Sequence, residues 1–184
     1  MPQKGTWVTR MLEIRTTKLE MQGDKIGGYA SVYDAPSHPL TIRGINGGKP
    51  FTEKVARGAF DSSLGNNISL LVGHDARDLL ANTKSGLLQL RSDQHGLAFE
   101  VTLPANNQRA QDVRSLVSAG VLSEMSFGFQ VIADSWVGNT RTLSQVALRE
   151  ISIVENGAYQ QTSVEARTIS TGLSRLRLRL RMPI

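Results

Sequence analysis

The sequence contains few residue types that could perform chemistry, and they limit the reactions open to it. It has three histidines and no cysteine, so for hydrolysis with a histidine as the base the nucleophile must be a serine, a threonine or a metal-bound water. His38 lies in a proline-rich loop and His95 in a predicted hairpin turn, and local structure explains both. His74 directly follows the apolar run at 68–72. A rigid strand end of this kind suits a general base, although structural histidines share the pattern.

Among the many serines, Ser126 is distinguished by its position at the start of a predicted strand. The segment 122–129 reads LSEMSFGF, so Gly128 follows two residues later. A glycine there allows a substrate or a neighbouring backbone to approach closely. An outward-facing serine beside a packing glycine gives the same pattern, so the local sequence alone does not select a nucleophile. The sequence has no Gly-x-Ser-x-Gly elbow, which argues against an α/β-hydrolase.

No metal or cofactor is predicted. The three histidines are widely spaced, and there is no His-Glu-x-x-His or similar ligand cluster. A phosphate loop and a Gly-x-Gly-x-x-Gly turn after a strand are also missing from the sequence. For hydrolysis with a histidine as the base, these patterns leave a serine or a threonine as the candidate nucleophile.

Length and composition indicate one globular domain, with or without an arm. The 184 residues are 40% apolar and 20% charged. The formal net charge is +5, and most of the excess comes from four C-terminal arginines: Arg175, Arg177, Arg179 and Arg181. The near-neutral remainder, with 5% aromatic residues, argues against a nucleic-acid-binding face. We expect no signal peptide and no membrane span, because the apolar runs are short, and the lack of cysteine fits a cytosolic protein.

Hydrophobic periodicity predicts many short strands and one clear helix. Strands are predicted at 11–21, 26–33, 68–72, 87–91, 97–103, 125–133 and, as one strand or two, within 140–154. A helix is predicted after the capping residue Asn106 or Asn107, with this apolar stripe: Ala110, Val113, Leu116 and Val117. A second, short helix is predicted at 55–64. The set indicates a mostly β body, either a barrel or a sandwich.

The final segment alternates leucine and arginine at 176–181. As a strand it would have one apolar and one cationic face, and as an arm it could dock on an acidic or membrane surface. A mobile terminus explains it equally well.

Several sequence blocks, in this order, resemble a known family. They are GYASVYD at 28–34, EKVARGAF at 53–60, LVGHD at 71–75, MSFGF at 125–129, LREISIV at 148–154 and Ala158-Tyr159. Together they look like the prohead maturation proteases of tailed phages with the Hong Kong-97-type capsid, and the likeness covers roughly residues 10–166.

The resemblance implies a fold similar to herpesvirus assemblin proteases: a mostly β (α+β) chain with a small closed β-barrel flanked by helices. Residues 1–166 would form the protease domain and 167–184 a basic arm. The implied activity is a serine endopeptidase that cuts the scaffolding segment of the major capsid protein, and itself, inside the immature head in the host bacterial cytoplasm. No cofactor, nucleic acid or membrane is implied as a partner, and a homo-oligomer is left open.

Carried over onto this chain, the family pattern gives Ser126 as nucleophile and His74 as general base. Glu150 is the expected third member, because it falls in the Leu-x-Glu-Ile-Ser block where the residue supporting the histidine is expected. Asp75 is a rival, but a residue next to His74 on a strand would point to the opposite face. Asp134 and Glu155 are weaker rivals. Assemblins have an oxyanion-hole arginine downstream of the third residue, whereas 157–160 here contains none, so its donors are not assigned.

Two other classes of function remain open from the sequence. One is an inactive prohead scaffold or structural protein that keeps the protease fold, which intact Ser126 and His74 argue against. The other is a nucleic-acid-binding β-barrel, which would need clustered cations beside exposed aromatic side chains.

Overall fold

The computed structural model describes residues 20–22, 25–37 and 39–155. Within these ranges strands make up 52% and helices 15% of the residues, which confirms a mostly β chain. The strands are β1 (Glu20–Gln22), β2 (Lys25–Val32), β3 (Thr52–Val55), β4 (Ser69–Val72), β5 (Asp75–Asn82), β6 (Leu88–Ser92), β7 (Gly96–Thr102), β8 (Glu124–Val137) and β9 (Thr140–Val154). One α-helix, α1 (Gln108–Ser118), connects β7 to β8. No helix in these ranges is long and apolar enough to cross a membrane.

The strands form two sheets. The first has the order β1-β2-β7-β6 and is antiparallel throughout. The second is organised by β9, which pairs with antiparallel β8 along one edge and with parallel β3 and β4 along the other. Strand β5 then pairs with β4 as an antiparallel hairpin. Because β9 contacts three other strands, residues brought in by β4 and β8 can meet across it.

The two sheets share one hydrophobic core. From the second sheet, Leu70, Phe127 and Ile151 are completely buried in it. The first sheet contributes Ile26, Leu97, Phe99 and Val101. Burying a side chain of this size contributes roughly 1.5–3 kcal/mol to stability. Since side chains alternate along a strand, the residues between these core positions on β4, β8 and β9 project from the opposite face of the second sheet.

The expected closed barrel is wrong. Closure would require the outer strands of the two sheets to pair edge to edge, and among the described strands no such pairing exists. Strand β9 already uses one edge for β8 and the other for β3 and β4, so it cannot join the first sheet. The expectation of flanking helices is also too broad for the described residues, which hold one α-helix and three short 3₁₀ turns.

The helix expected at 55–64 is also absent. Val55 ends β3, and Gly58 follows with φ +78°, a left-handed value that cannot continue an α-helix. A 3₁₀ turn, Asp61–Ser63, is the only helical piece of this stretch. The strand expected at 11–21 is described only at its end, in β1, and residues 11–19 lie outside the described ranges.

The α-helix forms where the sequence predicted it. Asn107 caps α1, and its side-chain oxygen accepts a hydrogen bond of 3.0 Å from the backbone N–H of Ala110. Gly120 follows the helix with φ +73°, as a helix-ending glycine does. The strands predicted at 26–33, 68–72, 87–91, 97–103 and 125–133 are present within a few residues of their expected ends, and 140–154 is a single strand.

A buried ion pair joins three strands of the second sheet. Glu53 on β3 is completely buried, and its carboxylate lies 3.3 Å from the guanidinium of Arg141 on β9. Arg141 also donates to Asp134 on β8 at 2.7 Å. Taking such charges out of water is costly, so the arrangement is stable only while the partners stay together.

We expect Arg141→Met to destabilise the protein by about 3–5 kcal/mol, because it leaves the Glu53 carboxylate buried without its arginine. The double variant Glu53→Met/Arg141→Met should recover most of that loss, since it removes both charges. Urea unfolding of the two variants measures the difference. A double variant no more stable than Arg141→Met alone would contradict this account.

Candidate active site

His74 is placed by a two-residue turn in the second sheet. Val72 pairs with Asp75, so only Gly73 and His74 connect β4 to β5. Both have positive φ, +58° and +62°, as a type I′ hairpin turn requires. Glycine adopts this conformation freely, but a residue with a Cβ does so at a cost. A histidine in the second position therefore indicates that its side chain is needed there.

The structure brings His74 and Glu150 together. The Nδ1 atom of His74 lies 2.8 Å from Oε1 of Glu150, and each side chain is 11% exposed. Glu150 is on β9, paired with Ser69 of β4. An ionised carboxylate only accepts hydrogen bonds, so with this partner Nδ1 is the donor, and in the neutral imidazole Nε2 is then the atom that has the lone pair.

The second oxygen of the Glu150 carboxylate is also bonded. The hydroxyl of Ser152 donates to Oε2 over 2.7 Å, and Ser152 is completely buried. Residues 150 and 152 share one face of β9 because side chains alternate along a strand. The carboxylate is thus fixed through both oxygens, which sets the orientation of the imidazole. Ser152 was not among the residues selected from the sequence, although its spacing from Glu150 placed it on the same face.

Gly128 makes room for this carboxylate. It is the partner of Glu150 in the β8–β9 pairing. A Cβ at residue 128 would lie 3.0 Å from the Glu150 Cδ and closer still to Oε1, the oxygen that binds His74. The φ of Gly128 lies outside the left-handed region, so the constraint there is space rather than backbone conformation. The group that occupies the space beside Gly128 is the Glu150 side chain. The sequence had suggested a substrate or a neighbouring backbone at this position.

Ser126 lies on the same sheet face as Glu150, two residues before Gly128 on β8. It pairs with Ser152 across β8 and β9, two residues from the Gly128–Glu150 pair. That step corresponds to about 7 Å along the strands. Ser126 is completely buried. The His74 Nε2 atom is also buried and has no hydrogen-bond partner among the described residues, so the Ser126 hydroxyl does not form a hydrogen bond with it.

The other titratable residues considered from the sequence form no hydrogen bond with His74 or Glu150 where they are described. Asp75 binds the side chain and the backbone N–H of Arg77, and these hydrogen bonds lower its pKa to about 2. Asp134 bonds to Arg141, and Glu155 is exposed beyond the end of β9. The His95 ring packs edge-on against the Tyr29 ring, with the two ring centroids 4.7 Å apart. His38 lies outside the described residues.

The arrangement can perform general base catalysis next to a serine. A histidine held by a carboxylate at Nδ1 can accept a proton at Nε2, and the carboxylate then stabilises the imidazolium. Across the part of the chain that is described, no three His, Cys, Asp or Glu side chains are grouped to hold a metal ion. Ser126 and Glu150 lie on one sheet face, and His74 contacts Glu150 from the adjoining turn.

Comparison with known proteins gives one match. A family model described as caudovirus prohead serine protease matches residues 11–175. No curated protein and no solved structure matches the chain.

We expect His74→Gly to be more stable than His74→Ala by about 1–2 kcal/mol, because alanine keeps a Cβ in the left-handed conformation and glycine does not. Both variants lose the hydrogen bond to Glu150, so the comparison isolates the backbone. Urea unfolding measures the difference. Equal stabilities would mean that the turn does not hold residue 74 at positive φ.

We expect Gly128→Ala to displace the Glu150 carboxylate and to cost about 1–3 kcal/mol of stability by overpacking. The low-field proton NMR signal of the hydrogen-bonded His74 imidazole N–H should disappear. The matched control is Gly65→Ala, because a Cβ at Gly65 meets no atom within 4 Å. The control should keep the signal and change stability by less than about 0.5 kcal/mol. An unchanged signal in Gly128→Ala would show that the glycine does not position the carboxylate.

Proposed function

The chain belongs to the caudovirus prohead serine protease family, and from that premise we propose that Ser126, His74 and Glu150 carry out its reaction. As a member of the family it is a serine protease of phage proheads, and it acts on capsid proteins in the prohead within the host cell. The finer proposal is that it cuts the scaffolding segment of the major capsid protein and also cuts itself. The observation that carries the assignment of residues is the 2.8 Å contact between His74 and Glu150 on the sheet face that bears Ser126.

In the proposed reaction the Ser126 Oγ forms a bond to the scissile carbonyl carbon, and its proton moves to His74 Nε2. Collapse of the tetrahedral intermediate breaks the peptide C–N bond, and Nε2 returns the proton to the leaving amine. A water molecule then attacks the acyl-enzyme and gives its proton to Nε2, which passes it back to the Ser126 oxygen as the acid product leaves. Glu150 holds the imidazole in the required tautomer and stabilises the imidazolium in both steps.

Substrate binding along β8 fits this assignment. Proteins commonly bind an extended peptide as an added strand at a sheet edge. Among the described strands, only β9 pairs with β8, and Ser126 lies near the start of β8. We propose that the scissile segment lies extended beside this strand, with its carbonyl at Ser126.

The Ser126 hydroxyl and the His74 Nε2 are not joined by a hydrogen bond in the described structure. Ser126 is fully buried, and the His74 Nε2 has no hydrogen-bond partner among the described residues. Substrate binding within the prohead has to uncover Ser126 and bring the two side chains together. We therefore propose low activity for the free chain and test the function in the presence of the assembling capsid.

We expect Ser126→Ala to abolish cleavage of the chain's own major capsid protein, because loss of the nucleophile costs several orders of magnitude in rate. Co-expression of the two proteins, followed by intact mass of the capsid subunit, measures this. Ser123→Ala is the matched control, because Ser123 lies three residues before Ser126 and outside β8. This variant should cleave the capsid subunit as the unaltered chain does.

Two other outcomes of this experiment would contradict the proposed role of Ser126 or the proposed activity. Equal cleavage by the unaltered chain and Ser126→Ala would remove Ser126 from the mechanism. If neither cleaves the capsid subunit and proheads still assemble around the protein, the inactive scaffold becomes the better description.

A further inference from the structure

A pocket of about 250 Å³ opens beside His74 on the face that carries the candidate site. Leu71, Leu79 and Phe129 supply an apolar wall, and Arg149 and Gln130 supply polar groups. Leu79 is 50% exposed and so offers apolar surface to a group that enters the pocket. The mixed lining suits a side chain that has an apolar stem and a polar end.

A β-bulge turns Arg149 toward this pocket. Gly128 pairs with Glu150 and Phe129 pairs with Leu148, so Arg149 is the extra residue of β9. Without the bulge, Leu148 and Glu150 would share a face, since they are two residues apart. Instead Leu148 lies in the core, whereas Arg149 and Glu150 both line the pocket. Bulges frequently re-aim a side chain beside an active site.

Arg149 is a cation of the pocket that no carboxylate of the described residues neutralises. Its guanidinium donates to the amide oxygen of Gln130 over 2.6 Å. The nearby Glu150 carboxylate is already bonded through both oxygens, to His74 and Ser152. A guanidinium has five N–H donors in a planar fork that matches an entering carboxylate.

We propose that this pocket binds an aspartate or glutamate side chain of the substrate, with Arg149 as the specificity-determining residue. Ser126 and the Gly128–Glu150 pair are two residues apart on β8, so an extended substrate reaches the pocket with a residue two or three positions from the scissile bond. The inference rests on the proposed protease function and names the class of substrate residue that this site selects.

The test uses the full chain co-expressed with its own major capsid protein, with the scissile bond located by intact mass. An aspartate or glutamate should lie two or three residues from that bond. Changing it to lysine should slow cleavage by up to about fivefold, the upper end for an exposed ion pair. Arg149→Glu should slow cleavage of the unaltered capsid protein and restore cleavage of the lysine variant. Arg43→Glu, an exposed arginine outside the pocket, is the control for net charge and should restore nothing.

The outcomes separate this inference from the function on which it rests. Cleavage at a site with no acidic residue within three positions overturns the inference and leaves the protease intact. A lysine variant that Arg149→Glu fails to rescue overturns it as well. If the unaltered chain cleaves nothing, the proposed function fails and the inference fails with it.

Discussion

The candidate site depends on one carboxylate held in a nearly water-free position. Glu150 has an acceptor contact at each oxygen, with His74 on one and Ser152 on the other, and a glycine beside it where a larger residue would not fit. A buried carboxylate is unfavourable unless its hydrogen-bonding capacity is used. These contacts therefore stabilise the charge and at the same time fix the orientation of the imidazole.

The position of that carboxylate is decided by a single extra residue in β9. Ile151 and Ile153 face the core, and so does Leu148, although a regular strand would place residues 148 and 151 on opposite faces. The bulge at Arg149 resolves this conflict and leaves Glu150 on the face of Ser126. The apolar residues on both sides of the bulge pack in the core and keep the bulge in place. The core therefore fixes the position of Glu150, although no core residue belongs to the candidate site.

Much of this could be predicted from local pattern. The apolar run before His74, the alternation in β8 and the capped helix α1 all follow from side-chain periodicity. The pairing of His74 with Glu150 came from family resemblance, since 76 residues separate them and no spacing rule reaches that far. Strand β5 was missed because its sequence, DARDLLAN, has no clean alternation. Barrel closure could not be predicted either, because it depends on which distant edges pair. The bulge is visible in the sequence, because the apolar residues of β9 change from the even positions 146 and 148 to the odd positions 151 and 153.

The parallel pairing of β4 with β9 has a consequence for synthesis of the protein. Strand β4 can pair with β5 at once, but it cannot gain its parallel neighbour β9 until this last described strand has been made, and contacts this distant in sequence form late. At usual rates of translation, the 76 residues between His74 and Glu150 take roughly 4–15 s to add. A nascent chain therefore leaves the ribosome with His74 lacking its Glu150 contact, and the candidate site is completed only with the finished fold.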